Sequence, residues 1–115
     1  MASSSHDPIP PGTLDMLILR TLAHREELHG FEIAEAIQRT SADVLRVEEG
    51  SLYPALQRML VRGWIIGAWG KTAENRRARY YQLTAAGRKQ LAREVDSYRR
   101  VTLAIDRILH PEPAR

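Results

Sequence analysis

A helical segment that stops at a glycine and passes directly into a strand constrains this chain more than any other feature. Within residues 47–66, apolar side chains recur at helical spacing at Leu52, Leu56, Met59 and Leu60. Gly63 follows them, where a glycine commonly ends a helix. Residues 64–69 then bring together two tryptophans and two isoleucines, which are typical of a strand. We therefore expect a helix immediately before a strand, with Pro54 in the first turn of that helix.

A second strand is predicted over residues 78–83, where Tyr81 and Leu83 share one face of the alternation. The turn between the strands, residues 70–77, holds three cations against the single acidic residue Glu74. A helix followed by a hairpin with a basic tip is the layout of a winged helix-turn-helix. In that layout the helix enters the major groove of DNA, and the hairpin, or wing, contacts the flanking backbone.

The remaining elements complete a helical domain. Two further apolar helical faces, at residues 14–22 and 33–37, are separated by a chain break at His29 and Gly30, and residues 44–47 suit a brief strand. Thr84 is expected to cap the last helix. The apolar face of that helix has alternating spacings of four and three residues, as in a heptad seam, at Leu91, Val95, Tyr98, Thr102, Ile105 and Leu109.

The predicted fold is mainly α (α+β): a winged helix-turn-helix domain of three helices and a β-hairpin wing, followed by a long C-terminal dimerisation helix. The predicted parts are a flexible N-terminal tail at residues 1–12, the DNA-binding domain at 13–84, the dimerisation helix at 85–110 and a tail at 111–115. The helix seam must be buried somewhere. A homodimer would bury it and would match a palindromic operator in double-stranded DNA.

Composition excludes several other classes of protein. The 115 residues include no cysteine, so disulfides and thiolate metal sites are ruled out. The four histidines form no HxxxH or HExxH pattern, and no nucleophile stands with a base and an orienting partner. No apolar run approaches the roughly 18 residues of a membrane span, and the N-terminus is not a secretory signal. We expect a cytoplasmic protein that is not an enzyme, with no cofactor, metal or membrane partner.

Candidate DNA contacts lie on the third helix and the wing. The outward helix face carries residue types that can reach base edges or phosphates, namely Ser51, Tyr53, Gln57, Arg58 and Arg62. The wing carries cations suited to phosphates or a narrow minor groove, namely Lys71, Arg76, Arg77 and Arg79. His29, before the second helix, is expected to contact backbone or phosphate. The alternative is that the helix has an ordinary polar face and that the hairpin tip only aids solubility. The chain would then be a winged-helix module that docks to another protein.

The tryptophans give a separate expectation. Trp64 and Trp69 are five residues apart, so in a regular strand they point to opposite faces and at most one faces a ligand. A bulge at Gly67 would undo that argument. Trp69 is one candidate effector contact.

Six motifs occur in order, at residues 11–19, 29–33, 49–56, 63–65, 79–84 and 86–88. The third reads Glu49-Gly50-Ser51-Leu52-Tyr53-Pro54-Ala55-Leu56. With these motifs the chain resembles the PadR family of bacterial transcriptional regulators, from about residue 11 to the C-terminal helix. The resemblance implies a homodimeric, sequence-specific DNA-binding regulator. Most members are repressors that phenolic acids, drugs or other small effectors release.

The resemblance also carries residue roles. Tyr53 lies at the aromatic position that opens the recognition helix and contacts the DNA backbone. Ser51, Gln57 and Arg58 lie where members contact the operator, and Arg76, Arg77 and Arg79 match the basic entry to the second strand. In the multidrug-binding branch, a tryptophan of the C-terminal helix stacks on planar ligands. Tyr98 lies near that place here and is the second candidate contact for a small aromatic effector.

Overall fold

The computed structural model describes residues 7–113, which fold into four helices and three short strands. Their order is α1 (Leu14–His24), β1 (Leu28–His29), α2 (Gly30–Thr40), α3 (Glu49–Val61), β2 (Ile65–Lys71), β3 (Arg77–Leu83) and α4 (Ala85–Leu109). This order confirms the predicted winged helix with its long C-terminal helix. None of the four helices in residues 7–113 combines the length and the apolar composition that a membrane span requires.

The wing hairpin is regular. Strands β2 and β3 pair antiparallel without interruption from Ile65–Leu83 to Lys71–Arg77. Gly67 therefore pairs directly with Tyr81, and no bulge occurs there. The register keeps the strict alternation of faces on which the placement of the tryptophans depends.

A third strand was not predicted. Strand β1 pairs with the other side of β3, giving the sheet order β1-β3-β2. It has only two residues, too few to show an alternation in the sequence, which predicted a chain break at this point. Conversely, residues 44–47 form no strand. Leu45 makes only an isolated parallel bridge with Asp7, whose N–H donates to the Val44 carbonyl at 2.8 Å.

The core lies where the first three helices meet the sheet. Its fully buried large side chains come from every one of these layers: Ile18, Leu19, Leu22, Ile33, Leu52, Leu56, Met59 and Ile65. Those of α3 share one face, as the helical period requires. Because this face is fixed in the core, the opposite face of α3 is held toward solvent.

The ends of α3 set its position relative to the wing. The helix begins at Glu49, so Pro54 lies in the second turn rather than in the first turn as predicted. Its missing N–H leaves the Gly50 carbonyl without a helical partner. At the other end, Gly63 has a φ of +77°, and the Trp64 N–H donates to the Met59 carbonyl at 3.0 Å. This glycine-ended cap turns the chain straight into β2.

Helix α4 is anchored at the same junction. The Thr84 hydroxyl accepts the Gly87 N–H at 3.0 Å, which confirms the predicted cap. The same hydroxyl lies 2.6 Å from the Gly63 carbonyl, and the Thr84 N–H donates to the Trp64 carbonyl at 3.0 Å. Leu91 is buried against the core, whereas every residue from 96 to 113 is exposed. The helix thus starts inside the domain and then projects away from it.

Candidate nucleic-acid interface

The exposed face of α3 has a central ridge and two flanks. At about 100° per residue, the ridge opposite the buried face consists of Gly50, Pro54, Gln57 and Val61. All four are exposed, and the Val61 side chain is 80% accessible. The Gln57 side chain makes no hydrogen bond with any described residue. Its amide therefore has the donors and acceptor that base recognition requires.

Arg58 and Ser51 lie on one flank, toward α1. The Arg58 Nη2 donates to the Asp15 Oδ1 at 2.9 Å, so a carboxylate of the first helix holds this guanidinium. Arg62, on the same flank, lies with its guanidinium carbon 5.1 Å from the Trp64 ring centroid. Asp15 lies in the first turn of α1. Its contact spans 43 residues of sequence, for which no local pattern exists.

Tyr53 lies on the opposite flank, toward α2 and the sheet. Its ring packs over Gly30, where an added Cβ would come within 2.8 Å of the phenol oxygen. The residue as a whole is 47% exposed. Burial raises the pKa of the neighbouring Tyr81 phenol above its usual value, while the Arg79 guanidinium lowers that pKa and Tyr53 raises it. Tyr53, Arg79 and Tyr81 line the same cleft at the junction of α3 and the wing.

His29 is built into the start of α2. Its backbone N–H donates to the Glu32 carboxylate at 3.1 Å, and its Nδ1 accepts the Glu32 N–H at 3.4 Å, which together form a capping box. The ring meets Tyr80 edge-on with centroids 5.3 Å apart, and only 16% of the side chain is exposed. The structure thus gives His29 a local capping role, and its predicted phosphate contact stays a prediction.

The wing closes with a short loop over residues 72–76. The Thr72 N–H donates to the Arg76 carbonyl, and the Asn75 N–H donates to the Thr72 carbonyl, each at 2.8 Å. Asn75 has a φ of +65°, a conformation that asparagine tolerates better than most residues. The strands therefore extend further than predicted, so that Lys71 and Arg77 pair across the end of the hairpin.

One face of the hairpin continues from the core into solvent. Alternation along the paired strands puts Ile65, Gly67, Trp69 and Lys71 on this face, beside Arg77, Arg79 and Tyr81 of β3. Ile65 and Tyr81 are buried at its inner end, whereas Trp69 is 60% exposed. The Arg77 guanidinium lies 4.3 Å from the Trp69 ring centroid, and that of Arg79 lies 6.0 Å away.

The wing cations have no carboxylate partners among residues 7–113. The ion pairs in this part of the chain involve other residues, so no described carboxylate neutralises Lys71, Arg76, Arg77 or Arg79. A cleft of about 940 Å³ separates the wing from the start of α2 and from Tyr53. Phe31, a residue that the sequence did not indicate, also lines it and is 66% exposed. Arg76, Arg77, Arg79 and Tyr53 are thus brought to one concave surface, which also carries the carboxylates Glu32, Glu35 and Glu74.

The two candidate effector contacts lie apart. Trp69 lines the wing cleft, whereas Tyr98 lines a cleft of about 720 Å³ between α1, the end of α3 and α4. Trp64 shares the cleft with Tyr98, in keeping with the expectation that the two tryptophans point to opposite faces. No group of three or more histidine, aspartate and glutamate side chains within residues 7–113 is arranged to hold a metal ion.

The predicted seam of α4 divides into an inner and an outer half. Leu91 is buried and Val95 packs partly against the core. The outer positions Tyr98, Thr102, Ile105 and Leu109 are exposed. The exposed fraction is 47% for Tyr98, 50% for Ile105 and 66% for Leu109. Val101 and Ile108, at 55% and 78% exposure, widen the same helix face. A continuous apolar stripe is therefore open along the projecting part of α4.

Solved structures share this architecture. A transcriptional regulator from Clostridium thermocellum superposes with a TM-score of 0.76 at 25% identity, over 84% of this chain and 92% of the other. A PadR-like transcriptional regulator from Bacillus cereus gives 0.72 at 29% identity, over 88% and 95%. A PadR family transcription regulator from Clostridium difficile gives 0.72 at 27% identity, over 85% and 99%.

Sequence comparison points the same way. An uncharacterised protein of Lysinibacillus sphaericus is 27% identical over 95 residues, covering 83% of this chain and 86% of the relative. Residues 18–93 match the transcriptional regulator PadR-like family, a segment that runs from α1 through α3 and the wing into α4. Family and fold are those of transcriptional regulators, which are not enzymes. The chain therefore belongs to the PadR-like family of transcriptional regulators.

Proposed function

We propose that this regulator is a homodimeric, sequence-specific repressor that binds a palindromic operator in double-stranded DNA. The observation that carries the proposal is the shared surface of α3 and the wing. Tyr53 of α3 and the cations Arg77 and Arg79 line one cleft, and none of these cations is neutralised by a described carboxylate. A duplex backbone supplies a row of anions that fits such a surface.

Roles within the surface follow from position and chemistry. Gln57, on the central ridge, is assigned to base edges, because a glutamine amide can pair with adenine through both of its groups. Ser51 and Tyr53 are assigned to the flanking strands of the groove. Lys71, Arg76, Arg77 and Arg79 are assigned to phosphates, which position the protein without reading the sequence. Arg58 contributes only when it leaves Asp15.

Dimerisation is proposed through the outer half of α4. The exposed stripe from Tyr98 to Leu109 repeats with heptad spacing, and each large apolar side chain that leaves water contributes roughly 1.5–3 kcal/mol. A second copy of the same helix offers a matching stripe under two-fold symmetry. The resulting pair of α3 helices would meet two half-sites of an operator.

Repression would follow from occlusion of a promoter by the bound dimer, in the cytoplasm. Release is proposed to involve a small aromatic effector in the cleft that Trp64 and Tyr98 line, beside the open stripe of α4. Such an effector acts only if it favours one arrangement of the two α4 helices over another. The arrangement in turn sets the distance between the two recognition helices.

The alternative is a winged-helix docking module that binds another protein and no specific DNA. The exposed α4 stripe would then receive a foreign helix. This candidate leaves the cluster of unneutralised wing cations without a role, whereas the repressor uses both features. Self-association and DNA binding therefore discriminate between the two candidates.

The deciding experiment measures binding of the purified protein to its own upstream DNA and to a random duplex, at two salt concentrations, with light scattering for the mass in solution. A dimer that protects a palindromic footprint and prefers the upstream DNA at both salt concentrations would support the repressor. Equal, weak binding to both duplexes that vanishes at the higher salt would contradict it. The docking module would then be the better explanation.

A further inference from the structure

Trp69 lies outside the hydrophobic core. It lies on the solvent end of the hairpin, with 60% of its surface exposed. It pairs directly with Arg79 across the two strands, and Arg77 follows on the same face of the sheet. An exposed tryptophan flanked by two guanidiniums is a costly surface feature, since large aromatic side chains are usually buried. Its surroundings therefore call for an explanation beyond packing.

The Arg79 side chain packs on the backbone of Gly67. An added Cβ at Gly67 would lie 2.6 Å from the Arg79 Nε, so the side chain lies directly over the bare backbone of Gly67. The Nε has essentially no accessible surface and finds no hydrogen-bond partner within the described residues. Since no bond to a protein acceptor orients this guanidinium, the contact with Gly67 and the nearby ring of Trp69 fix its direction.

The Arg77 side chain packs on the ring of Trp69. Its guanidinium carbon lies 4.3 Å from the ring centroid of Trp69, well inside the range of a cation–π contact. A carboxylate could also have held the side chain, as Asp15 holds Arg58 at 2.9 Å. A carboxylate partner and an aromatic ring differ in what they do to the positive charge of the guanidinium. A carboxylate neutralises the guanidinium, whereas an aromatic ring orients it and leaves its positive charge for an anion outside the protein.

We infer that Trp69 is a positioning residue that holds Arg77, and with Gly67 also Arg79, ready for the phosphates of the DNA backbone. The inference rests on the proposed DNA binding and assigns Trp69 to that function rather than to an effector. An unrestrained arginine loses side-chain freedom when it binds a phosphate. A guanidinium already stacked on a ring loses less, so the contact is stronger for the same charge.

The test uses the full chain with Trp69→Leu, and with Trp69→Phe as the conservative variant that restores a ring. Trp69→Leu should weaken binding to operator and random duplex alike, by about two- to fivefold, the range expected for an exposed cation–π contact. Trp69→Phe should recover most of this loss. Ile66→Ala, an exposed change on the other face of the same strand, serves as the control and should leave binding unchanged.

A double-mutant cycle separates positioning from direct contact. If Trp69 acts through Arg77 and Arg79, Trp69→Leu should cost less than about twofold in a background that carries both Arg77→Ala and Arg79→Ala, because the side chains it positions are already absent. An unreduced loss in that background would mean that Trp69 touches the DNA itself, and would overturn the inference. No loss in the wild-type background would overturn it as well.

A readout without DNA keeps this inference separate from the proposed function. The Arg77 side-chain protons of the unbound protein should show upfield-shifted NMR resonances from the Trp69 ring, and the shift should disappear in Trp69→Leu. Absence of the shift in the wild-type protein would overturn the positioning role whatever the protein binds. A clear shift in a protein that fails to bind any duplex would instead contradict the proposed DNA binding alone.

Discussion

Arg58 of α3 donates a hydrogen bond to Asp15 of α1, with 2.9 Å between its Nη2 and the carboxylate Oδ1. The two residues are 43 positions apart in the sequence. The contact draws the Arg58 side chain toward α1, so a cation predicted to contact the operator is partly neutralised within the protein. The central ridge of α3 (Gly50, Pro54, Gln57 and Val61) has no charged side chain of its own.

Removing the carboxylate should therefore release Arg58. Asp15→Asn is expected to strengthen binding to any duplex and to raise the salt slope by up to about one unit, because one more cation can reach phosphates. The half-exposed pair contributes less than about 1 kcal/mol to the free energy of unfolding. Asp96→Asn, which removes an exposed pair with Arg100 on α4, is the matched control. Weaker binding of Asp15→Asn would show that Arg58 works from its paired position.

Gln57 should determine sequence preference. Gln57→Ala is expected to lower the operator preference by ~1–3 kcal/mol, the worth of one bidentate contact to a base. Binding to random duplex should hardly change, since a neutral amide releases no counterions. Competition assays with both duplexes measure the ratio, and Gln82→Ala, an exposed glutamine of β3, serves as the control. Equal losses on operator and random DNA would contradict the role in base recognition.

Arg77 should contribute a phosphate contact. Arg77→Ala is expected to weaken binding to all duplexes and to lower the salt slope by about one unit. Fluorescence anisotropy across a salt series gives this slope directly. Arg107→Ala, which removes an exposed cation at the far end of α4, should leave it unchanged. A slope that Arg77→Ala does not alter would remove this residue from the phosphate contacts.

The exposed stripe of α4 should hold the dimer together. Ile105→Glu places a charge in the middle of the stripe and is expected to yield a monomer in sedimentation experiments, because a buried unpaired carboxylate is strongly unfavourable. Leu103→Glu is a close match, since Leu103 is 52% exposed and Ile105 50%. Leu103 lies well away from the stripe around the helix, so its variant should stay dimeric. Dissociation of both variants alike would point to a general loss of folding.

Tyr81 should make stability fall in alkaline solution. Burial raises the pKa of its phenol in the folded chain above the ordinary value of 10.0. Above that value the unfolded chain loses the proton while the folded chain retains it, so the free energy of unfolding decreases as the pH rises toward the folded pKa. Tyr81→Phe should remove this part of the decline. Denaturant titrations between about pH 9 and 11 would measure it.

The features that the sequence predicted correctly were those with local signals. Residues 52–60 repeat with a helical period, Gly63 ends that helix, and residues 78–83 alternate, so α3 and the wing follow from neighbouring residues alone. Strand β1 was missed because two residues carry no period. The cap formed by His29 was missed because histidine is not among the usual capping residues. The Arg58–Asp15 pair and the place of Phe31 depend on how distant segments pack.

The anchoring of α4 has a mechanical consequence. Thr84 is bonded to the carbonyls of both Gly63 and Trp64, two of the three residues between the end of α3 and the first strand of the wing. The first part of α4, with Leu91 and Val95 packed on the core, is therefore fixed to the two parts proposed to face the duplex, and about 20 Å of lever arm extends beyond Asp96 at 1.5 Å per residue. A small rotation of the outer end would tilt α3 and the wing together as one rigid body. Neither part would move relative to the other.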